Sequence, residues 1–144
     1  MIEQDTVKLL RECDAGARMG TDSLKDVMGS AEDPALKGVL QESERSHEQI
    51  SQDITRALHR FDDTGKDPHP MATGMSWLKT HAEMALNKSD ETIAELMTDG
   101  CNMGIKSLSR YLNQYRAADQ DSKALAQRLI SLEEDLAQKM RPYL

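Results

Sequence analysis

Aromatic residues are scarce in this chain of 144 residues, of which they make up 3%. They are Phe61, Trp77, Tyr111, Tyr115 and Tyr143. A chain of this length can bury a substantial core within a single domain, so we expect residues 1–144 to form one domain. Because so few aromatic rings are present, that core must consist of aliphatic side chains, with the nine methionines as gap fillers.

The sequence also lacks an excess of basic residues and any long apolar run. The chain has 18 Lys and Arg against 25 Asp and Glu, a net charge of −7. Phosphate backbones are bound by basic surfaces, so we expect no nucleic-acid partner. No apolar run approaches the roughly 20 residues of a membrane-spanning helix, which predicts no membrane association. The opening MIEQDTVKLL lacks the features of a signal peptide, and we therefore expect a cytoplasmic location.

Cysteine is represented by Cys13 and Cys101 alone, with no Cys-x-x-Cys pair. We expect two reduced thiols that pack as small apolar side chains, as is usual in cytoplasmic proteins. The sequence also lacks serine-nucleophile motifs, glycine-rich phosphate loops and zinc-ligand spacing. It therefore predicts no catalytic residues.

Helical periodicity dominates what is present. Apolar residues alternating by three and four predict a first helix from about Asp5 to Met28, ended by Gly29. Asp33 is a good N-cap for a second helix, and Pro34 is tolerated at its first position. The short turn between the two helices predicts an antiparallel hairpin.

The second half of the chain repeats this arrangement. The turn-forming run 62–70 ends the second helix, and a shorter helix follows at 71–85. Ser89 or Asp90 caps the next long helix, and the last one ends before Pro142. No strand alternation is present. The sequence therefore predicts an all-α protein with four long helices in two antiparallel hairpins, and a short extra helix in the crossover between them.

One motif occurs twice: Met-Gly-x-x-Ser-Leu stands at 19–24 and again at 103–108. At this spacing of 84 residues the matched pairs are Gly16 with Gly100, Met19 with Met103, Gly20 with Gly104, Ser23 with Ser107, and Leu24 with Leu108. The second and last helices match at a spacing of 89 residues. We infer a duplicated helical hairpin, and we expect the glycines to allow close approach of the two hairpins.

A chemical signal lies in the second helix, where Glu44 and His47 form a Glu-x-x-His pattern. Residues three apart share a helix face. Four-helix bundles that hold two metal ions use this pattern together with carboxylates from the other helices. His47 is therefore either a metal ligand or a buried histidine that is hydrogen-bonded across the bundle.

The Glu-Asp-Pro-Ala-Leu-Lys turn, the LLRECDAG stretch before it, the repeated hairpin and the Glu-x-x-His pattern together resemble a family of bacterial ferritin-like domains of unknown function, distantly similar to rubrerythrin and ferritin. The resemblance implies a ferritin-like four-helix bundle over nearly the whole chain. It also implies a metal site, whose ligands here would be Glu44, His47, Asp14 and Glu133. Leu136 stands where the second histidine of that site belongs, and Thr98 stands where a bridging carboxylate belongs.

These two departures should disable oxidase chemistry, which needs both metal ions bridged. We therefore expect a non-catalytic bundle without a cofactor that binds a protein partner or forms a homo-oligomer. The resemblance implies a role in a bacterial stress response. The alternative is a protein that binds iron or manganese at the degenerate site and, if it is an enzyme, acts as a ferritin-like di-metal oxidase.

Overall fold

The computed structural model describes residues 2–63 and 89–144. These form four α-helices, which are α1 (Ile2–Met28), α2 (Pro34–His59), α3 (Asp90–Gln114) and α4 (Gln120–Met140), followed by a 3₁₀ turn at Arg141–Tyr143. Within the two ranges there is no strand, which confirms the predicted all-α class with four long helices. The short helix predicted at 71–85 lies outside the described residues. None of the described helices is long and apolar enough to cross a membrane.

The start of α2 follows the predicted capping pattern. The Oδ1 atom of Asp33 accepts hydrogen bonds from the backbone N–H groups of Ala35 at 2.7 Å and Leu36 at 3.3 Å. Pro34 occupies the first helical position, where a backbone N–H would have no partner in the helix. The end of α1 at Met28 also agrees with the prediction, whereas its start lies three residues earlier than expected.

The caps of α3 and α4 use side chains of the same kind. The hydroxyl of Ser89 accepts from the N–H of Thr92 at 3.2 Å, so Ser89 rather than Asp90 is the N-cap of α3. The carboxylate of Asp119 accepts from the N–H of Ser122 at 2.8 Å at the start of α4. Each cap satisfies a donor that the first helical turn leaves unpaired.

Three long-range hydrogen bonds, at two junctions, fix the directions of the helices. The carboxylate of Asp90 accepts from the N–H groups of Glu32 at 2.8 Å and Asp33 at 3.0 Å, so α3 begins beside the turn between α1 and α2. The N–H of Asp119 donates to the hydroxyl of Thr6 at 2.8 Å, so α4 begins beside the start of α1. Consequently α3 is antiparallel to α1, α4 is parallel to α1, and α2 ends at the end of the bundle opposite to the start of α3.

The core is divided into two aliphatic clusters. One contains Leu24, Leu36, Leu40, Cys101, Leu136 and Met140 among its buried residues. The other contains Ala17, Ile50, Ile54, Leu108, Ala126 and Leu129. The tyrosines at 111, 115 and 143 and Phe61 are only partly buried at the margins of these clusters. The prediction of an aliphatic core is therefore confirmed.

Candidate functional site

A polar layer separates the two aliphatic clusters. Each helix contributes one residue to it: Gly20 from α1, His47 from α2, Gly104 from α3 and Glu133 from α4. In every helix, this position falls between a residue of one cluster and a residue of the other. The repeated glycine of the sequence motif thus lies at the same level of the bundle in both hairpins, beside the two ionisable side chains.

The centre of this layer is a hydrogen bond between His47 and Glu133. The Nε2 atom of His47 lies 2.6 Å from Oε1 of Glu133, and the two residues are 0% and 8% exposed. The Nδ1 atom of the same ring lies 2.8 Å from the backbone carbonyl of Ser43. Because a carbonyl oxygen only accepts, Nδ1 carries a hydrogen, and a further proton must lie between Nε2 and the carboxylate.

The pKa of His47 follows from these partners. Burial by itself lowers the pKa of the imidazole, since it disfavours the charged form. The hydrogen bond and negative charge of Glu133 raise it, as does the carbonyl of Ser43, and the net effect is a pKa above the ordinary value of 6.5. The imidazole therefore holds its proton more tightly than a free imidazole does, and with one proton between the two side chains the pair carries no net charge.

Gly20 leaves room for the imidazole ring. A Cβ atom at this position would lie 2.7 Å from Cδ2 and 3.0 Å from Nε2 of His47, closer than Cβ atoms approach other groups. At Gly104 a Cβ atom would meet the side chain of Glu133 at 3.6–3.7 Å, which is ordinary contact. The nearest described neighbours of both glycines are side chains, and the expected close approach of the two hairpins at these glycines stays a prediction.

The glycines also line a cavity of about 380 Å³ that extends from the central layer and is partly open at the surface, where the exposed Arg110 contributes to its wall. All ten residues of the five pairs matched at the 84-residue spacing line it, together with His47 and Glu133. The repeated motif therefore marks the two sides of a cavity. Sequence reasoning detected the repeat but missed the cavity, because small residues at helical spacing are also typical of close helix packing.

Cys101 extends the polar layer on the α3 side. Its thiol is hydrogen-bonded to Glu133, and burial, the charge of Glu133 and this hydrogen bond together raise the thiol pKa far above its ordinary value. Such a thiol stays protonated and is a poor nucleophile. It is also free of any disulfide, as is the buried Cys13, which confirms the expectation of two reduced thiols in the apolar interior.

A second polar contact, between Glu12 and Tyr111, lies elsewhere in the cavity wall. The pKa of the Tyr111 hydroxyl is raised by burial first, and then by the charge and hydrogen bond of Glu12. Nothing in the sequence pattern indicated this contact, because both residues lie at the edges of their apolar stripes.

The four predicted metal ligands do not form one cluster. His47 and Glu133 are bonded directly to each other. Asp14 is buried but forms a bidentate ion pair with Arg18, one turn further along α1. Glu44 is half-buried, and its Oε1 atom lies 4.0 Å from Nζ of Lys25.

This arrangement provides fewer ligands than a metal centre uses. Within residues 2–63 and 89–144, no group of three or more His, Cys, Asp or Glu side chains is positioned to hold a metal ion. Zinc sites, for comparison, take three or four protein ligands. The described residues therefore do not fit a two-metal centre. Binding of iron or manganese around Glu44, His47, Asp14 and Glu133 stays a prediction.

The fold and this site define an all-α four-helix bundle with a buried histidine–glutamate pair in its central layer. Among solved structures, the chain is similar to the crystal structure of a DUF305 fragment from Deinococcus radiodurans, with a TM-score of 0.75 over 96% of this chain and 93% of that chain. The two sequences are 10% identical, so the similarity concerns the fold. No protein-family model and no curated protein matches the chain.

Proposed function

We propose that this protein is a non-catalytic bundle of ferritin-like descent that acts by binding a protein partner. The observation that carries the proposal is the direct bond between His47 and Glu133. In a bundle that uses metal ions, these two side chain types face a shared ion. Here each side chain is the other's hydrogen-bond partner. The Nε2 atom of His47, which would bind a metal ion, is hydrogen-bonded to the carboxylate of Glu133 instead.

The remaining predicted ligands support the same conclusion. Asp14 is neutralised by Arg18, and Glu44 lies nearest to Lys25. Burial raises the pKa of Asp14, although the positive charge and hydrogen bonds of Arg18 lower it. The carboxylates that a di-metal oxidase would direct at its ions are thus held by cations of the protein itself.

The surface favours a partner of opposite charge over a second copy of the chain. Among the described residues, Leu144 is the large hydrophobic side chain that is exposed, at 55%. A self-complementary interface usually needs an apolar centre. The net charge of −7 also opposes association between identical chains and favours a basic protein surface. A cytoplasmic location and a role in stress responses stay predictions.

Elemental analysis tests the non-catalytic part of the proposal. Tag-free protein, purified without chelators and then exposed anaerobically to ferrous iron, should carry no iron, manganese or zinc above background and should not consume oxygen. Sedimentation over a wide concentration range should show a monomer. A stable dimer would show that the protein acts by self-association and not by binding a different protein. Turnover of oxygen would overturn the non-catalytic part of the proposal.

A single metal ion is the second candidate, and one observation favours it. The Nδ1–H group of His47 is fixed on the carbonyl of Ser43, an arrangement that orients metal-ligating histidines and leaves Nε2 for the ion. The ion would take the place of the proton between His47 and Glu133. About one metal per chain, lost in the Glu44→Ala/His47→Ala variant and kept in His59→Ala, would establish this candidate. His59 is the matched control because it lies exposed on the same helix.

A further inference from the structure

The partly open cavity between α1, α3 and α4 is larger than the voids that imperfect packing leaves in a protein interior. Interiors are packed like organic crystals, with few voids larger than a water molecule. This cavity has a volume of about 380 Å³, which falls within the range of sites for small molecules. An apolar cavity of about 150 Å³ accommodates benzene. By proportion, the volume here suits a molecule of roughly 10 to 15 non-hydrogen atoms.

Packing accounts for Gly20 in the cavity wall but not for Gly16 or Gly104. The ring of His47 excludes a side chain at Gly20. At Gly16 a Cβ atom would meet only Leu129 among its described neighbours, at 3.7 Å, and at Gly104 it would be 3.6 Å from Glu133. An alanine would fit at both positions and would favour the helix by about 1 kcal/mol. Because Gly16 and Gly104 have no side chain, they leave open the part of the cavity that a larger residue would fill.

Glu133 gives the cavity a hydrogen-bond acceptor. Its Oε1 atom is bonded to His47, and Cys101 also donates to the carboxylate. A carboxylate offers about four lone-pair positions, so capacity for a further donor remains. The Oε2 atom faces the position beside Gly104, in the cavity wall.

The neutrality of the His47–Glu133 pair favours an uncharged group beside it. One proton lies between His47 and Glu133, so the pair carries no net charge. A buried ammonium group would leave an uncompensated charge in an apolar interior. A hydroxyl group can donate to the carboxylate without adding charge. The methionines at 19, 97 and 103, which line the cavity, can adapt to the shape of an apolar molecule.

We propose that this cavity binds a small, neutral, apolar molecule that carries one hydroxyl group, with the hydroxyl donating to Glu133 and the apolar part lying between the two copies of the repeated motif. This site goes beyond the proposed function, since a protein partner would bind the outer surface. Metal analysis and sedimentation do not test it.

The test uses two probes of matched shape, para-propylphenol and para-propyltoluene, with the full chain labelled at its methionine methyl groups. The phenol should shift the methyl resonances of Met19, Met97 and Met103 and leave that of Met28, which lies outside the cavity, unchanged. Calorimetry should show that the phenol binds about tenfold more tightly than the hydrocarbon, because a hydrogen bond to a charged acceptor is stronger than apolar contact alone.

Variants then locate the site. Gly104→Met should fill the cavity and abolish binding of both probes, whereas Gly38→Met, at an open position on α2, should bind them as the native chain does. If Gly104→Met does not fold, the Gly16→Ala/Gly104→Ala variant takes its place and should bind both probes more weakly than the native chain does. Glu133→Gln should remove most of the tenfold preference for the phenol. The proposal is overturned by unshifted cavity methionines, by equal affinity for the two probes, or by unchanged binding in the folded cavity variants.

Discussion

Gly20 of α1 lies directly against the imidazole of His47 of α2, and the ring occupies the place where a side chain at position 20 would begin. The buried histidine therefore depends on a glycine 27 positions before it in the chain. The matching glycine of the second hairpin, Gly104, has no such neighbour and faces Glu133 across ordinary contact distances. Two glycines that look equivalent in the repeated motif thus have different roles.

This difference predicts opposite effects of the same substitution. Gly20→Ala should lower the free energy of unfolding by about 1–3 kcal/mol, because its Cβ overlaps the His47 ring. Gly38→Ala is the matched control: it lies on α2 with no described neighbour within 4 Å and should gain up to about 1 kcal/mol from helix propensity. Gly104→Ala should behave like the control. Urea unfolding of the three variants measures these changes, and equal stability of Gly20→Ala and Gly38→Ala would contradict the assigned role of Gly20.

The His47–Glu133 pair predicts a pH dependence of stability. The pKa of His47 is raised in the folded protein, so the folded state holds this proton more tightly than the unfolded state. The resulting stabilisation is fully present below pH 6.5, the unfolded value, and is lost as the pH rises through the higher folded value. The free energy of unfolding should therefore decline above pH 6.5 in the native chain, and this decline should be smaller in His47→Gln.

A matched variant separates His47 from the other groups that titrate. His59→Gln, on the exposed end of α2, should keep the native pH profile. In Glu133→Gln the pKa of His47, followed by NMR, should fall below 6.5, because burial then acts without the opposing carboxylate. A slope above pH 6.5 that is the same in the native chain and in His47→Gln would show that the pair is not its source.

Both cysteines should be unreactive in the folded protein. Burial, with smaller contributions from the charges of Glu12 and Asp14, raises the pKa of the Cys13 thiol to about 12. Cys101 is raised further in the same direction by burial and by Glu133. Since the thiolate is the reactive form, a disulfide reagent at pH 8 should modify neither residue until the protein is unfolded. Fast modification of Cys101 alone would show that the cavity wall opens beside Glu133.

The hydrogen bonds of Asp90 at the junction of the two hairpins predict a loss of stability when this side chain is removed. Asp90→Ala removes the acceptor for the N–H groups of Glu32 and Asp33 and should lower the free energy of unfolding by about 1–2 kcal/mol. Glu91→Ala is the control, because Glu91 is an exposed acid in the same first turn of α3 and contributes equally to the helix dipole. Thermal or urea unfolding compares the stability of the two variants. Equal losses of stability would show that Asp90 acts only through its charge at the start of the helix.

Local chemistry made most of the fold predictable. The caps at Asp33 and Ser89, the end of α1 at Met28 and the aliphatic stripes depend on neighbouring residues in the chain, whose interactions are governed by helical spacing. The candidate site was only half predictable. Periodicity placed His47 on an inward face and raised the option of a hydrogen bond across the bundle, which the structure confirms. It did not identify the partner in that bond.

The sequence by itself determined that this chain is helical, that its hydrophobic core is aliphatic and that one six-residue motif occurs twice, because these properties follow from composition and from spacing along the chain. Only the tertiary structure decided that His47 meets Glu133, 86 residues away, and that Asp14 meets Arg18 instead. Such pairings depend on the rotation and axial position of one helix against another. Those quantities are set by the packing of all four helices together, and for the same reason only the structure showed that the repeated glycines line a cavity.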